Sequence, residues 1–228
     1  MILSKWLRPV AAKQQKGKVR RLPDVTFLAL ADFHVAMVTE NDWSVLEDMI
    51  VRARPDGVIL LGDIFRKDAE RIAKMAKGIP CLYVLGNHDE WDQYDGIDGL
   101  QNLDGTVTEV CGIRLAGISG APRYNNDVKR AMRTQEEVLA AADTLPAADI
   151  LVSHESPYHL LNPNHSHEGF LGITEYLSRH HTAVHLFGHH HIPHPVSGSG
   201  RRNLRNLCLS RGFDSCWKYG YSLFILIL

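Results

Sequence analysis

Five short apolar runs in this 228-residue chain stop on residues able to hold a metal ion. FLALADFH ends in Asp32 and His34, VILLGD in Asp63, CLYVLGNH in Asn87 and His88, DILVSH in His154, and VHLFGHHH in His189, His190 and His191. Runs of this length and composition read as buried strands. Helical patterns separate them. Residues 42–54 carry Trp43, Leu46, Met49 and Ile50 on one face behind a cap at Asn41 or Asp42, and residues 67–77 are stopped by Gly78 and Pro80. Further helices are expected near 134–143 and 173–180. Residues 106–119 read as a hairpin turning at Cys111 and Gly112. Gly198-Ser199-Gly200 between extended segments predicts antiparallel strands at the end, the last one a buried strand over 221–228. Alternating strands and helices followed by hairpins make an α/β domain with mixed sheets.

In such sheets ligands gather beyond the carboxyl ends of the strands, and five strands delivering donors to one edge is hard to explain by solubility. Asp32 and His34 are two residues apart, as are His189 and His191, so in extended backbone each pair points the same way. His190 then points away. Gly62, Gly86 and Gly188 each precede a key residue, where a missing side chain lets backbone and ion approach. Taken singly, each donor has a plainer reading. An Asp after a strand caps a turn, Asn87 fits turn chemistry, and His154 alone is a satisfied buried histidine. The joint pattern overrides these readings for this set only. His159, His165, His167, His180, His181, His185 and His194 are left as ordinary surface or loop residues, with His165 and His167 in a loop that can face the site.

Asp32, Asp63 and Asn87 offer oxygen; His34, His154, His189 and His191 offer nitrogen. Seven donors without a thiolate exceed the four of a structural zinc site and suit two divalent ions sharing a carboxylate. Mixed nitrogen and oxygen ligation fits Mn, with Fe or Zn as alternatives, and disfavours an all-oxygen Ca or Mg pair. Two ions about 3.5–4 Å apart activate a bridging water and clamp both oxygens of an in-line displacement at phosphorus.

Composition sets the remaining bounds. A hydrophobic content of 45% supports a large core, and a net charge of −1 excludes a generic polyanion binder. The charge is uneven: Lys5, Arg8, Lys13, Lys16, Lys18, Arg20 and Arg21 precede Pro23 with no acid among them. Residues 1–23 therefore read as a basic N-terminal extension and 24–228 as one domain. The extension is expected to dock or fray, with a peripheral membrane or nucleic-acid contact as the minority reading. Lys5 and Arg8 interrupt any signal-peptide core, and no run is long enough to span a bilayer. Cys81, Cys111, Cys208 and Cys216 form no C-x-x-C pair and fit reduced thiols of a cytoplasmic protein.

The ordered blocks D-x-H (Asp32, His34), G-D (Asp63), G-N-H-D (Gly86 to Asp89), H (His154) and G-H-x-H (Gly188 to His191) resemble the calcineurin-like metallophosphoesterase family. The resemblance implies a single-domain, four-layer αββα sandwich with two mixed β-sheets and a binuclear site. It places Asp32, His34 and His191 on one ion and Asn87, His154 and His189 on the other, with Asp63 bridging. It also implies that His88 protonates the leaving oxygen after in-line attack of a hydroxide bridging the ions. Ile64-Phe65-Arg66 replaces the G-D-x-x-D-R-G continuation of protein Ser/Thr phosphatases, and Asn87-His88 is not the Asn-Arg of lipid A pathway hydrolases. The H-x-H-x-D-H pattern of metallo-β-lactamases is absent from the sequence. The nearer likeness is to small, capless, phosphodiesterase-type members acting on a small-molecule phosphoester. A non-catalytic scaffold on the same fold, or a nuclease acting on single-stranded nucleic acid, is the alternative. Oligomeric state and natural substrate are left open.

Overall fold

The computed structural model describes residues 24–33, 39–160, 167–190, 205–208 and 222–227, the last two stretches as backbone only. The basic segment 1–23 lies outside these residues, as do His34, His165, His191 and His194. The first half runs β1 (Thr26–Ala31), α1 (Glu40–Ala53), β2 (Gly57–Leu60), α2 (Arg66–Met75), β3 (Cys81–Tyr83), β4 (Leu100–Asn102), β5 (Val107–Val110) and β6 (Ile113–Ile118). There follow β7 (Ala121–Pro122), β8 (Met132–Arg133), α3 (Gln135–Thr144), β9 (Ile150–Ser153), α4 (Leu171–Arg179), β10 (Val184–Phe187), β11 (Arg205–Cys208) and β12 (Ser222–Ile227).

Alternation along the strands builds the layers. One sheet has the order β12-β1-β2-β3-β4 and the other β11-β10-β9-β6-β5. Phe27, Ala29, Ala31, Ile59 and Leu61 of the first sheet pack against Leu115, Ile150, Val152, Val184 and Leu186 of the second. The intervening residues face outward. Leu28, Leu30, Val58 and Leu60 lie under Trp43, Leu46 and Ile50 of α1 and Ile72 of α2. Ala116, Ile118 and Leu151 lie under Val138 and Ala142 of α3 and Ile173 and Tyr176 of α4. Both faces of each central strand are thus buried, which is why these strands read as unbroken apolar runs. The result is the expected four-layer αββα sandwich.

Both sheets are mixed. β1 to β4 run parallel, with β12 antiparallel against β1. β6, β9, β10 and β11 run parallel, with β5 antiparallel against β6. The hairpin turns where the sequence places it: Cys111 and Gly112 have φ of 49° and 80°, the left-handed pair a two-residue loop requires.

Three expectations need correction. The cap of α1 is Thr39, not Asn41 or Asp42. Thr39 Oγ1 accepts from Asp42 N at 3.3 Å, and Asp42 Oδ2 accepts from Thr39 N at 2.8 Å. Asp42 is the return arm of a capping box and not its first residue. β11 pairs parallel with β10, across a connection from Phe187 to Arg205 long enough for a parallel crossover, and of the two terminal strands β12 alone is antiparallel. His185 is fully buried: on the outward face of β10 it meets Ser153 Oγ at 2.8 Å and stacks on Phe187. β4, β7 and β8 were not anticipated, being two- or three-residue strands with no apolar run of their own.

Candidate metal centre

The parallel strands of both sheets end at one edge, where the polar residues following them meet. Asp32 follows β1 and its N–H donates to Gly62 O at 3.1 Å. Asp63 follows β2, Asn87 lies beyond β3, His154 follows β9, and His189 lies beyond β10. The two sheets are tied together here. Gly120 N donates to Leu85 O at 2.7 Å, and His189 N donates to Asp32 Oδ2 at 3.2 Å. Asp32, Asp63 and His189 have φ of 62°, 57° and 67°. Left-handed backbone costs a non-glycine residue about 1–2 kcal/mol, so three of the expected ligands are held in strained turns.

Two glycines make the convergence sterically workable. A Cβ at Gly62, itself at φ 89°, would stand 2.3 Å from Gly86 N, so the ends of β2 and β3 touch backbone to backbone. A Cβ at Gly86 would stand 2.2 Å from Asp63 Oδ1 and 2.6 Å from His154 Cε1. Gly188 is less critical: its nearest neighbours would be Ala31 Cβ and Asp32 Oδ2, both at 3.1 Å.

His154 is fully buried, and its hydrogen bonds decide which nitrogen faces the cluster. Nδ1 lies 2.7 Å from Leu61 O, which can only accept, so Nδ1 carries a proton. Nε2 faces Asn87 Oδ1 at 3.1 Å and Asp63 Oδ2 at 3.4 Å. Asn87 holds its oxygen toward Nε2 because its Nδ2 donates to Tyr124 OH at 3.2 Å. A neutral His154 would aim a lone pair at two oxygens, so the arrangement calls for a positive charge between them. Burial pulls the His154 pKa down, but the charge and hydrogen bond of Asp63 outweigh it and raise it to about 10. Burial, reinforced by Asp63 and partly offset by His154, pushes Asp32 up to about 7. Among the described residues Asp32 Oδ1 has no hydrogen-bond partner. Ligand atoms of Asp63, His154 and His189 lie within 4.8 Å of one another, and all three residues are buried. This donor chemistry fits a divalent cation.

Of the eight residues singled out from the sequence, Asp32, Asp63, Asn87, His154 and His189 come together at this edge. His88 is exposed; its N–H donates to Asp63 Oδ1 at 2.8 Å and its carbonyl accepts from Arg130 Nη1. His34 and His191 lie outside the described residues.

The family model for the calcineurin-like phosphoesterase superfamily domain matches residues 25–204. The chain belongs to that superfamily. The chain shares its fold with YfkN of Bacillus subtilis, a calcineurin-like phosphoesterase, at 15% identity and a TM-score of 0.54 over 90% of this chain and 91% of that one. TT1561 of Thermus thermophilus gives 16% identity and a TM-score of 0.53 over 82% and 90% of the two chains. A dimetal phosphatase from Danio rerio gives 14% identity and 0.51 over 82% and 88%. A comparison with curated protein sequences gave no match.

The fold also places at this edge residues that strand-end reasoning passed over. Asp89 is buried, and its Oδ2 accepts from both Asp63 N and Gly86 N at 2.8 Å, holding the turns after β2 and β3 together. Its position in G-N-H-D was the signal that could have marked it. Burial, then Asp63, raises its carboxyl to about 7. Glu155 is fully buried, with Oε1 2.5 Å from His190 Nε2 and Oε2 3.5 Å from His189 Nε2. Burial alone would raise its pKa, but the bond from His190 and the charges of His189 and His190 hold it at about 2. His167, read as a loop residue, stacks on His189 with ring centroids 4.5 Å apart. Tyr124 carried no sequence signal, since it approaches Asn87 only through the fold.

Proposed function

We propose that this chain is a phosphoric ester hydrolase dependent on two divalent metal ions, acting on phosphodiesters in preference to monoesters. The observation that carries the reading is His154: its Nδ1 is committed to Leu61 O, so its Nε2 faces Asn87 Oδ1 and Asp63 Oδ2. Asn87, His154 and His189 would hold one ion, Asp32 with His34 and His191 the other, and Asp63 both. Mn is the favoured metal, with Fe or Zn as alternatives. When bound, such ions polarise a phosphoryl oxygen and bring the pKa of water near neutrality.

The chain's own residues do the rest. Gly86 leaves Asp63 and His154 room to face the same point. Asp89 fixes the Asp63 and Gly86 backbone, so the shared carboxylate needs no reorganisation during reaction. The backbone of His88 is pinned to Asp63 while its side chain is exposed, which suits donation of a proton to a departing alkoxide. Arg130, bonded to the His88 carbonyl, sets a cation beside the position of an anionic substrate. The diester preference rests on the likeness to small, capless members. Among the described residues no helix is long and apolar enough to cross a membrane. The basic segment that motivates a membrane or nucleic-acid contact lies outside them.

The test is a hydrolysis screen of bis-(p-nitrophenyl) phosphate, p-nitrophenyl phosphate, cyclic nucleotides and short single-stranded oligonucleotides. Chelation should abolish turnover and Mn²⁺ should restore it, with the diester cleaved faster than the monoester. Hydrolysis indifferent to chelator would overturn the metal dependence, and saturation with one ion per chain would overturn the binuclear centre. A faster monoester would overturn the diester preference.

A further inference from the structure

The middle histidine of Gly188-His189-His190-His191 was expected to turn away from the metals. Its Nε2 meets the buried carboxylate of Glu155. Glu155, the residue after His154, is fully buried, and each of its oxygens has a defined neighbour. Oε1 accepts from Ser156 N at 2.6 Å and meets His190 Nε2 at 2.5 Å. Oε2 lies 3.5 Å from His189 Nε2 and has no other close partner among the described residues. Ser153 Oγ donates to the Glu155 carbonyl at 2.6 Å, so the backbone of this residue is held as well. A buried carboxylate against a low-dielectric wall needs this degree of satisfaction to persist.

The two histidines are adjacent in sequence, so a carboxylate that reaches both fixes the direction in which the turn after β10 presents its imidazoles. His189 is also braced from its other side by His167, whose ring is stacked at 22° to it. An imidazole with a buried carboxylate oxygen 3.5 Å from one nitrogen and a second ring packed on its face has little freedom to swing. This is the arrangement by which outer carboxylates orient metal-binding histidines and raise their basicity.

We infer that Glu155 is a positioning residue for the metal centre, clamped by His190 and Ser156 and fixing the imidazole of His189 toward the cluster with Asp63 and His154. This inference rests on His189 being a ligand as proposed above. His190, in turn, serves to hold the carboxylate in place.

The experiment is Mn²⁺ titration calorimetry on the full chain and on His189→Ala, Glu155→Gln and His190→Gln, with the thermal midpoint of each recorded in excess chelator. Glu155→Gln preserves size and the bond from Ser156 while removing the charge. It should weaken the affinity for one of the two ions by about 10–100-fold and leave the other ion unaffected. His190→Gln, which loosens the clamp but keeps the carboxylate, should weaken the same ion by less. A role confined to packing would lower the midpoint in chelator while Mn²⁺ affinity stayed at the wild-type value, and that result would overturn the inference. If His189→Ala loses no ion, the metal-centre reading itself fails. If His189→Ala loses one ion while Glu155→Gln and His190→Gln bind both normally, only the positioning role fails.

Discussion

Asn87 and His88 are chain neighbours whose side chains part company: one is buried against His154, the other exposed at the mouth of the cluster. If Asn87 holds an ion, His88 can serve the leaving group, and general acid help is worth roughly 10²–10⁴ in rate. His88→Ala should therefore bind two Mn²⁺ and fold normally, while losing turnover severely on an alkyl or nucleoside ester and mildly on a p-nitrophenyl ester. That phenolate departs without a proton. Rates measured on the two leaving groups with one variant decide it, and equal losses would show the role to be misassigned. The convergence of Asp32, Asp63, Asn87, His154 and His189 was legible in the sequence because each closed an apolar run. The partners of Asp89, Glu155 and Tyr124 were not, although G-N-H-D marks the position of Asp89, and the reason is physical. These partners, Asp63, His190 and Asn87, lie 26, 35 and 37 residues away along the chain, and no local period links them.

The helices show the same division between local and non-local information. The four helices of the described residues were all expected, α1 from the amphipathic stripe Trp43, Leu46, Met49 and Ile50, which is visible in a single window. The start of α1 was misplaced because Asp42 resembles a cap in isolation, and its bond back to Thr39 N identifies it as the third residue. α3 uses the same device: Thr134 Oγ1 accepts from Glu137 N at 3.2 Å, and Glu137 Oε2 accepts from Thr134 N at 2.7 Å. None of the hydrogen bonds of this cap among the described residues reaches a residue of the candidate centre. Thr134→Ala should lower unfolding free energy by about 1 kcal/mol in a denaturant titration, with Mn²⁺ affinity unchanged. A change in metal affinity would show that α3 is coupled to the centre. The direction of β11 was beyond such reading. Strand polarity depends on how a connection crosses the sheet, and the run of apolar residues is the same either way.

The donors come from both sheets. Asp32, Asp63 and Asn87 extend from one, and His154 and His189 from the other. Ions held between them would join layers otherwise packed mainly through apolar contacts such as those of Phe27, which is fully buried. Mn²⁺ at about 100 times its Kd should add about 2.7 kcal/mol to stability for each ion bound, or roughly 5–10 °C per ion in thermal midpoint for a chain of this size. Phe27→Ala should cost about 3–5 kcal/mol in the presence and absence of metal alike. Its midpoints would fall, but the gap between loaded and chelated protein would persist. Scanning calorimetry of the two proteins with Mn²⁺ and with chelator checks this. A midpoint indifferent to Mn²⁺ in the wild type would argue against a centre that spans the sheets.

The left-handed turn at Asp32 sets chemistry against durability. There a fully buried carboxyl, pushed up to about 7 mainly by burial, keeps one oxygen without a hydrogen-bond partner among the described residues, on a backbone its residue type adopts only at some cost. No requirement of folding selects that combination, so selection for robustness alone would remove it. Asparagine tolerates the same φ, can still accept from His189 N, and carries no charge to bury. In excess chelator at neutral pH, Asp32→Asn should melt above the wild type, and on adding Mn²⁺ the order should reverse as the wild type gains more from the ion. A metal-free Asp32→Asn that melts below the wild type would mean that the turn is tuned for folding after all. Heat-tolerant yet inert variants should thus arise readily at this position, and a search for stabilised forms that ignores turnover would find them first.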